Sequence, residues 1–294
     1  MGSESRDPVV FINAKEFIMQ LISRFGRHSH SRRSATPLSD DQLRQVAPSI
    51  FAEAAHDSRS ARYTCIPTST VLAGLRKEGF EPFMVCQTRV RDKGKRDFTK
   101  HMLRLRHATQ INDGEANEII LLNSHDGTSS YQMLAGMFRF VCSNGLVCGD
   151  TTADVRVRHK GQIVDHVIEG AFEVLDSFQR VREERDAMRA IALQVGEAEV
   201  FARAALALKY EPDATKPAPI TEQQILAPQR REDMRPDLWS TFNRVQEHLV
   251  RGGLPMRTAN GRRQRTREVQ GIDQGVKLNC ALWLLAEEMK RLKA

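Results

Sequence analysis

Cations spaced two residues apart are the most chemically suggestive feature of this 294-residue chain. Arg89 and Arg91, Arg104 and Arg106, and Arg156, Arg158 and Lys160 alternate with mostly apolar neighbours. In a strand, side chains at i and i+2 leave the same side of the pleat. Neighbouring strands would gather these cations into one basic plate, able to neutralise successive phosphates through bidentate arginine contacts. Lys93, Lys95 and Arg96 would extend the plate from the turn at 92–97. The alternative is an ordinary solvated face in which Arg merely alternates with core residues. A second cluster, Arg251, Arg257, Arg262, Arg263, Arg265 and Arg267, includes no acid between its ends and holds Gly252, Gly253 and Gly261. A free loop of this kind suits a phosphate backbone, and with no aromatic it would position a strand rather than read it. Arg262, Arg263, Arg265 and Arg267 therefore join the strand cations as candidate nucleic-acid contacts.

Other reactive residues point less sharply. His125-Asp126-Gly127-Thr128-Ser129-Ser130 is expected to join a strand to a helix, where backbone N–H groups can hold phosphate and a His-Asp pair can move protons. The segment carries no phosphate loop, dinucleotide fingerprint or nucleophile elbow, so a polar strand-to-helix turn with a serine N-cap is the favoured reading. Cys142 and Cys148 read as core residues, His28 and His30 as a weak pair, and Glu183, Glu184 and Asp186 as ion-pair partners of neighbouring arginines. No cofactor and no metal site is assigned.

Lys plus Arg total 44 against 37 acids, a formal charge of +7, which favours a polyanionic partner. Hydrophobic residues make up 40% and charged residues 28%, excluding collagen-like and low-complexity classes. No apolar run reaches the roughly 18–20 residues of a membrane span, and the N-terminus lacks signal-peptide order. A cytoplasmic location is expected. Five cysteines without a CxxC pair argue against a disulfide framework.

The elements that must position these residues are read from periodicity. Phe11 to Phe25 is helix-like, and 27–34 reads as a mobile basic loop. Ser39 with Gln42 forms a capping box before Leu43, Val46 and Ile50. Residues 68–78 are expected to be helical, ended by Gly79. Strands are expected at 83–91, at 102–106 and at 118–123, and a helix with the stripe Tyr131, Leu134, Phe138 and Val141 should follow. Val155 and Val157 mark a short strand. From 162 to 208 the spacing is helical, with a break near Gly196, and 211–236 holds five prolines, a linker composition. Two more helices follow, around Leu238–Leu249 and Val276–Met289. The expected division is a helical region at 1–62, an α+β core at 63–161, long helices at 162–210, a linker at 211–236 and a helical unit at 237–294, too small to stand alone and so docked on the body. The fold class is α+β, an antiparallel basic sheet with flanking helices.

Asn123-Ser124-His125-Asp126-Gly127, Phe138-Arg139-Phe140-Val141-Cys142-Ser143-Asn144-Gly145-Leu146, Asn243-Arg244-Val245-Gln246-Glu247 with Gly252-Gly253, and Asn279-Cys280-Ala281-Leu282-Trp283 together resemble the phage- and plasmid-borne proteins grouped as domain of unknown function 932. The resemblance spans Tyr63 to the C-terminus. It implies a mobile-element setting and brings no agreed activity and no catalytic residues. The expected order helix, strand, strand, strand, helix over 68–141 is also similar, more loosely, to phage single-strand annealing proteins. The reading that follows is a DNA-binding protein of a mobile element, contacting single strands through a basic sheet, with recombination or annealing as its setting. A homo-oligomer would align the plates of several subunits. Two alternatives stay open: a metal-dependent nuclease or nucleotide-acting enzyme near His125 and Asp126, and a protein-binding module that blocks a host defence factor.

Overall fold

The computed structural model describes residues 31–59, 63, 65–107, 109, 111–112, 115–140, 144–148, 155–157, 163–211, 217–258 and 261–293. The helix-like run Phe11–Phe25 lies outside them. In chain order the elements are β1 (Ser31–Arg33), α1 (Asp40–Val46), α2 (Thr68–Lys77), β2 (Phe80–Gln87), β3 (His101–His107), β4 (Ile111–Asn112), β5 (Glu115–Asn123), β6 (Tyr131–Arg139), β7 (Asn144–Val147) and β8 (Val155–Val157). There follow α3 (Ile163–Ala190), α4 (Val195–Tyr210), α5 (Glu222–Leu226), α6 (Leu238–Arg251), β9 (Pro255–Arg257), β10 (Arg263–Arg265) and α7 (Ile272–Lys293). The fold is α+β. Its antiparallel sheet has the order β1-β2-β3-β5-β6-β7, with β4 beside β5 and β8 beside β6.

Local chemistry accounts for several boundaries. Ser39 and Gln42 exchange the two hydrogen bonds of a capping box at the start of α1. Gly79, at φ +86°, follows α2; a side chain there would be strained by the backbone, and its Cβ, 2.7 Å from the His107 ring, would also displace that ring. Asp92 accepts from the Gly94 N–H and starts a 3-10 turn, Lys93–Phe98, between β2 and β3.

The expected helix after Ser130 is instead β6. Tyr131, Met133, Ala135 and Met137 alternate onto the main core, while Leu134 packs on the opposite face. A run apolar on both faces fits either period. Eight consecutive register positions against β5 make it a strand. Ser31–Arg33, expected in a mobile loop, pairs with β2.

The first face of the sheet packs Val85, Leu103, Leu105, Ile119 and Leu121 into a core that continues through Phe178, Phe201, Trp239 and Trp283. Ile220 and Ile225 are buried in the same core, so residues 217–236 are packed against the body rather than held loosely. Trp239 and Trp283 bring the C-terminal helices α6 and α7 into this core. The second face carries Met84, Met102, Ile120, Leu122, Leu134 and Val147, covered by Ile272, Val276 and Cys280 of α7. Both faces of the central strands are therefore buried. Among the described residues no helix is long and apolar enough to cross a membrane.

Candidate nucleic-acid interface and the buried charge network

The second face decides the fate of the proposed plate. Arg104 and Arg106 project from it as expected, on the side of Met102, but they are buried and held by Glu118 of the neighbouring β5. Arg104 Nη1 donates to Glu118 Oε2 at 2.9 Å and Arg106 Nε to Oε1 at 2.9 Å. Arg104 also donates to the Leu146 carbonyl at 3.1 Å, and the guanidinium of Arg106 lies 4.1 Å from the ring centroid of Phe138 and 4.5 Å from that of Phe83. Gly145 makes room for Arg104, since a Cβ there would stand 2.8 Å from its guanidinium. These two arginines face no solvent, and the exposed basic plate does not form. Burial by α7 and the aromatic residues, together with an internal carboxylate, is the physical reason. Glu118 was the available signal: an acid at the head of the apolar run Ile119–Leu122, once buried with it, needs a cation.

The remaining cations divide by position. Arg89 and Arg91 lie beyond the end of β2, which stops at Gln87 rather than at residue 91, and with Lys93, Lys95 and Arg96 they are exposed around the 3-10 turn. Arg156 lies in β8, and its side chain is outside the described residues, as are Arg158 and Lys160 altogether. The expected free arginine loop is partly ordered. Its ends form the two-stranded β9–β10 hairpin, with Arg257 directly opposite Arg263. Arg257, Arg262, Arg263, Arg265 and Arg267 are exposed, and among the described residues none of the five pairs with a carboxylate. Arg265 Nη1 donates to the Gly253 carbonyl at 2.7 Å. Arg251, by contrast, is tied to Glu247 at 2.8 Å.

Between the hairpin and the end of α4 runs an open groove of about 1110 Å³, lined by Lys209, Tyr210, Met256, Arg257 and Arg263 among others and, among the described residues, by no acid. Lys209 donates to the Leu249 carbonyl and lies 5.2 Å from the Tyr210 ring centroid; burial lowers its ammonium pKa. The groove joins cations distant in sequence to an aromatic side chain, and spacing along the chain does not reveal it.

His125 and Asp126 sit in the turn between β5 and β6, with no helix behind them to offer N–H groups. Asp126 Oδ1 accepts from the Thr128 N–H at 3.0 Å and hydroxyl at 2.6 Å, an Asx turn that occupies one oxygen. His125 is buried, with Nδ1 3.3 Å from Cys65 Sγ. His101, beside it with ring centroids 5.6 Å apart, contacts Ser49 Oγ at 2.8 Å and Thr68 Oγ1 at 2.9 Å. Burial, reinforced by His125, pushes the His101 pKa down to about 3, so it is neutral. Burial raises the Cys65 thiol, which keeps it protonated and a poor nucleophile. Among the described residues no group of three or more His, Cys, Asp and Glu side chains is arranged to hold a metal ion.

A separate ion network joins the sheet to the helices. Glu115 of β5 receives Arg185 at 2.7 Å and Arg189 at 2.9 Å from α3. Asp233 takes Arg139 at 3.2 Å and Arg230 at 2.7 Å, and Arg230 reaches Glu247 of α6 at 2.6 Å. These arginines are engaged internally and act in structure.

Fold and site together define an α+β protein whose antiparallel sheet is enclosed on both faces and whose outer β2–β3 loop and β9–β10 hairpin carry clusters of exposed cations. The chain belongs to the family described as Domain of unknown function (DUF932), whose model matches residues 55–283. It is 54% identical over 270 residues to UPF0380 protein YafZ of Escherichia coli (strain K12), covering 92% of this chain and 97% of that protein. UPF0380 protein YfjQ of the same strain is similar to the same extent, 54% identical over 270 residues. No solved structure matches the chain.

Proposed function

We propose that this protein binds DNA, single strands in preference, in recombination or annealing on a mobile genetic element, and that the hairpin and the β2–β3 loop make the contacts. The sheet face takes no part. One observation carries the reading: Arg257 and Arg263 stand directly opposite each other in a two-stranded hairpin with no carboxylate partner among the described residues. Like charges so placed weaken a hairpin that is marginal on its own. A phosphate backbone converts that repulsion into attraction and releases counterions as it binds. Arg262, Arg265 and Arg267 extend the cationic edge, and the groove beside it offers Tyr210 as a surface on which a base can stack. Arg89, Arg91, Lys93, Lys95 and Arg96 form the second contact region.

Titration of labelled single- and double-stranded DNA at about 50 and about 200 mM salt, with and without magnesium, tests this directly. Binding is expected to weaken steeply with salt and to be indifferent to magnesium. Replacing Arg257, Arg263 and Arg265 by Ala should lower the single-strand salt slope by about 2, at roughly 0.7 per lost phosphate contact. Absence of binding at the lower salt, or an unchanged slope in the triple variant, overturns the proposal.

A further inference from the structure

The hairpin and the β2–β3 loop, distant in sequence, meet the same rim of the molecule. Residues 266–271 form a strap that leaves the hairpin and runs back along the end of α6. The Gly253 N–H donates to the Thr266 carbonyl, that of Thr266 to Leu254 and that of Val269 to Val250, each at 2.8 Å, so the strap is held in place. It ends at an opening of about 340 Å³ between the second sheet face and α7, whose lining joins Gln270 and Gly271 of the strap to Arg89 at the start of the β2–β3 loop. Exposed Arg267 precedes Gln270 by three residues, at most about 11 Å of extended chain. The other end of the loop is fastened to the same rim. Lys100, just beyond the 3-10 turn, donates to both carboxylate oxygens of Asp273 in the first turn of α7, at 2.7 and 2.8 Å. The order along the rim is therefore hairpin, strap, opening, loop.

The acids along this path are outweighed or engaged. Lys100 takes up Asp273, and Glu268, the one carboxylate lining the opening among the described residues, lies within electrostatic reach of Arg33 and Arg251. Within the loop five cations outnumber Asp92 and Asp97. We propose that a single DNA strand follows the rim from the hairpin to the loop, and that the Lys100–Asp273 pair is a positioning link that fixes the distance between the two regions. The proposal rests on the DNA-binding reading above and specifies its substrate, a strand long enough to hold both regions at once, on the order of ten nucleotides. Once the hairpin holds part of a strand, the loop meets the rest at the high effective concentration of an intramolecular contact, worth about 100- to 10,000-fold in affinity. That gain requires the two regions to keep their spacing, and a loop tied down at Lys100 keeps it. Lys100 itself is only 10% exposed and is occupied by Asp273, so it contacts no phosphate.

Fluorescence anisotropy with labelled oligothymidylates of about 4 and about 20 nucleotides, on the full chain at about 50 mM salt, tests the path. The longer strand should bind one per chain and at least about 100-fold more tightly than the shorter. Lys93→Ala, Lys95→Ala and Arg96→Ala together should weaken the longer strand at least about tenfold, whereas the shorter, which can use either region, should lose at most about twofold. Asp273→Asn removes a negative charge, a change that by itself favours DNA. Loss of the link should instead weaken the longer strand at least about threefold, with the shorter strand and the melting temperature unchanged, and Asp273→Glu should restore it. Two long strands per chain, equal affinity for the two lengths, or full binding of the longer strand by Asp273→Asn would overturn the single path while leaving DNA binding intact. No binding of either strand overturns the DNA-binding reading itself, and the path with it.

Discussion

Glu118 holds two arginines in the interior with one carboxylate. Removing its charge leaves two buried cations without a counter-ion, so Glu118→Gln should destabilise the protein by about 3–5 kcal/mol in urea unfolding. Replacing Arg104, Arg106 and Glu118 together by apolar residues of similar volume should cost less than the single change, because the whole desolvation penalty goes with the charges. A triple variant weaker than Glu118→Gln would contradict this account of the second face. His101 supplies a pH test. In the unfolded chain its imidazole takes a proton near the ordinary value of about 6.5, whereas in the fold it holds out to about 3. The unfolded state binds the extra proton between those values. The contribution of His101 is thus complete above about pH 6.5 and falls by up to about 1.4 kcal/mol per pH unit below it. Urea midpoints of His101→Gln should fall less steeply between pH 6 and 4 than those of the unaltered protein, in proportion to about one proton; parallel curves would exclude His101 from acid lability.

Elements whose local signals were strong formed where periodicity placed them. The capping box of α1, the glycine stop after α2, the alternation of β3 and the stripe of α6 all agree with their sequences. β6 did not, because residues buried on both sides carry no period that distinguishes strand from helix. The break between α3 and α4 falls at 191–194, just before Gly196, where Leu193 donates to the Pro236 carbonyl and Ala192 bridges to Asp237. Asp237 then caps α6, accepting from the Ser240 N–H at 2.7 Å and hydroxyl at 3.0 Å. Asp237→Ala should lower stability by about 1–2 kcal/mol in urea unfolding, with Asp237→Asn recovering most of it. Equal losses in the two variants would mean that the cap is not the source.

The whole molecule behaves as one packed unit over its described residues. Trp239 and Trp283, on α6 and α7, share a core with Leu103, Ile119 and Met133 of the sheet, and the Glu115 and Asp233 networks fasten helices to strands. Unfolding followed by tryptophan fluorescence, which reports the C-terminal helices, should coincide with unfolding followed by far-ultraviolet circular dichroism. Two separated transitions would show that the C-terminal helices form an independent unit. At this scale the charge also sorts itself: Arg104, Arg106 and Arg139 of the sheet are buried against internal carboxylates, while the cations of the β2–β3 loop and the hairpin remain outward.

Residue order alone settled the fold class, most helices, the alternation of β3 and the net positive charge, because these depend on neighbours three or four positions apart and on composition. It also carried the family resemblance, since the Phe138–Leu146 stretch is local. Which arginines meet solvent was decided only in three dimensions. The i and i+2 spacing of Arg104 and Arg106 correctly placed both on one side of β3, but spacing says nothing of what covers that side. There, α7 arrives from more than 160 residues away, and Glu118 reaches across from β5. Long-range burial and pairing therefore turned a basic face into an internal salt link, and left the arginines of the outer hairpin exposed.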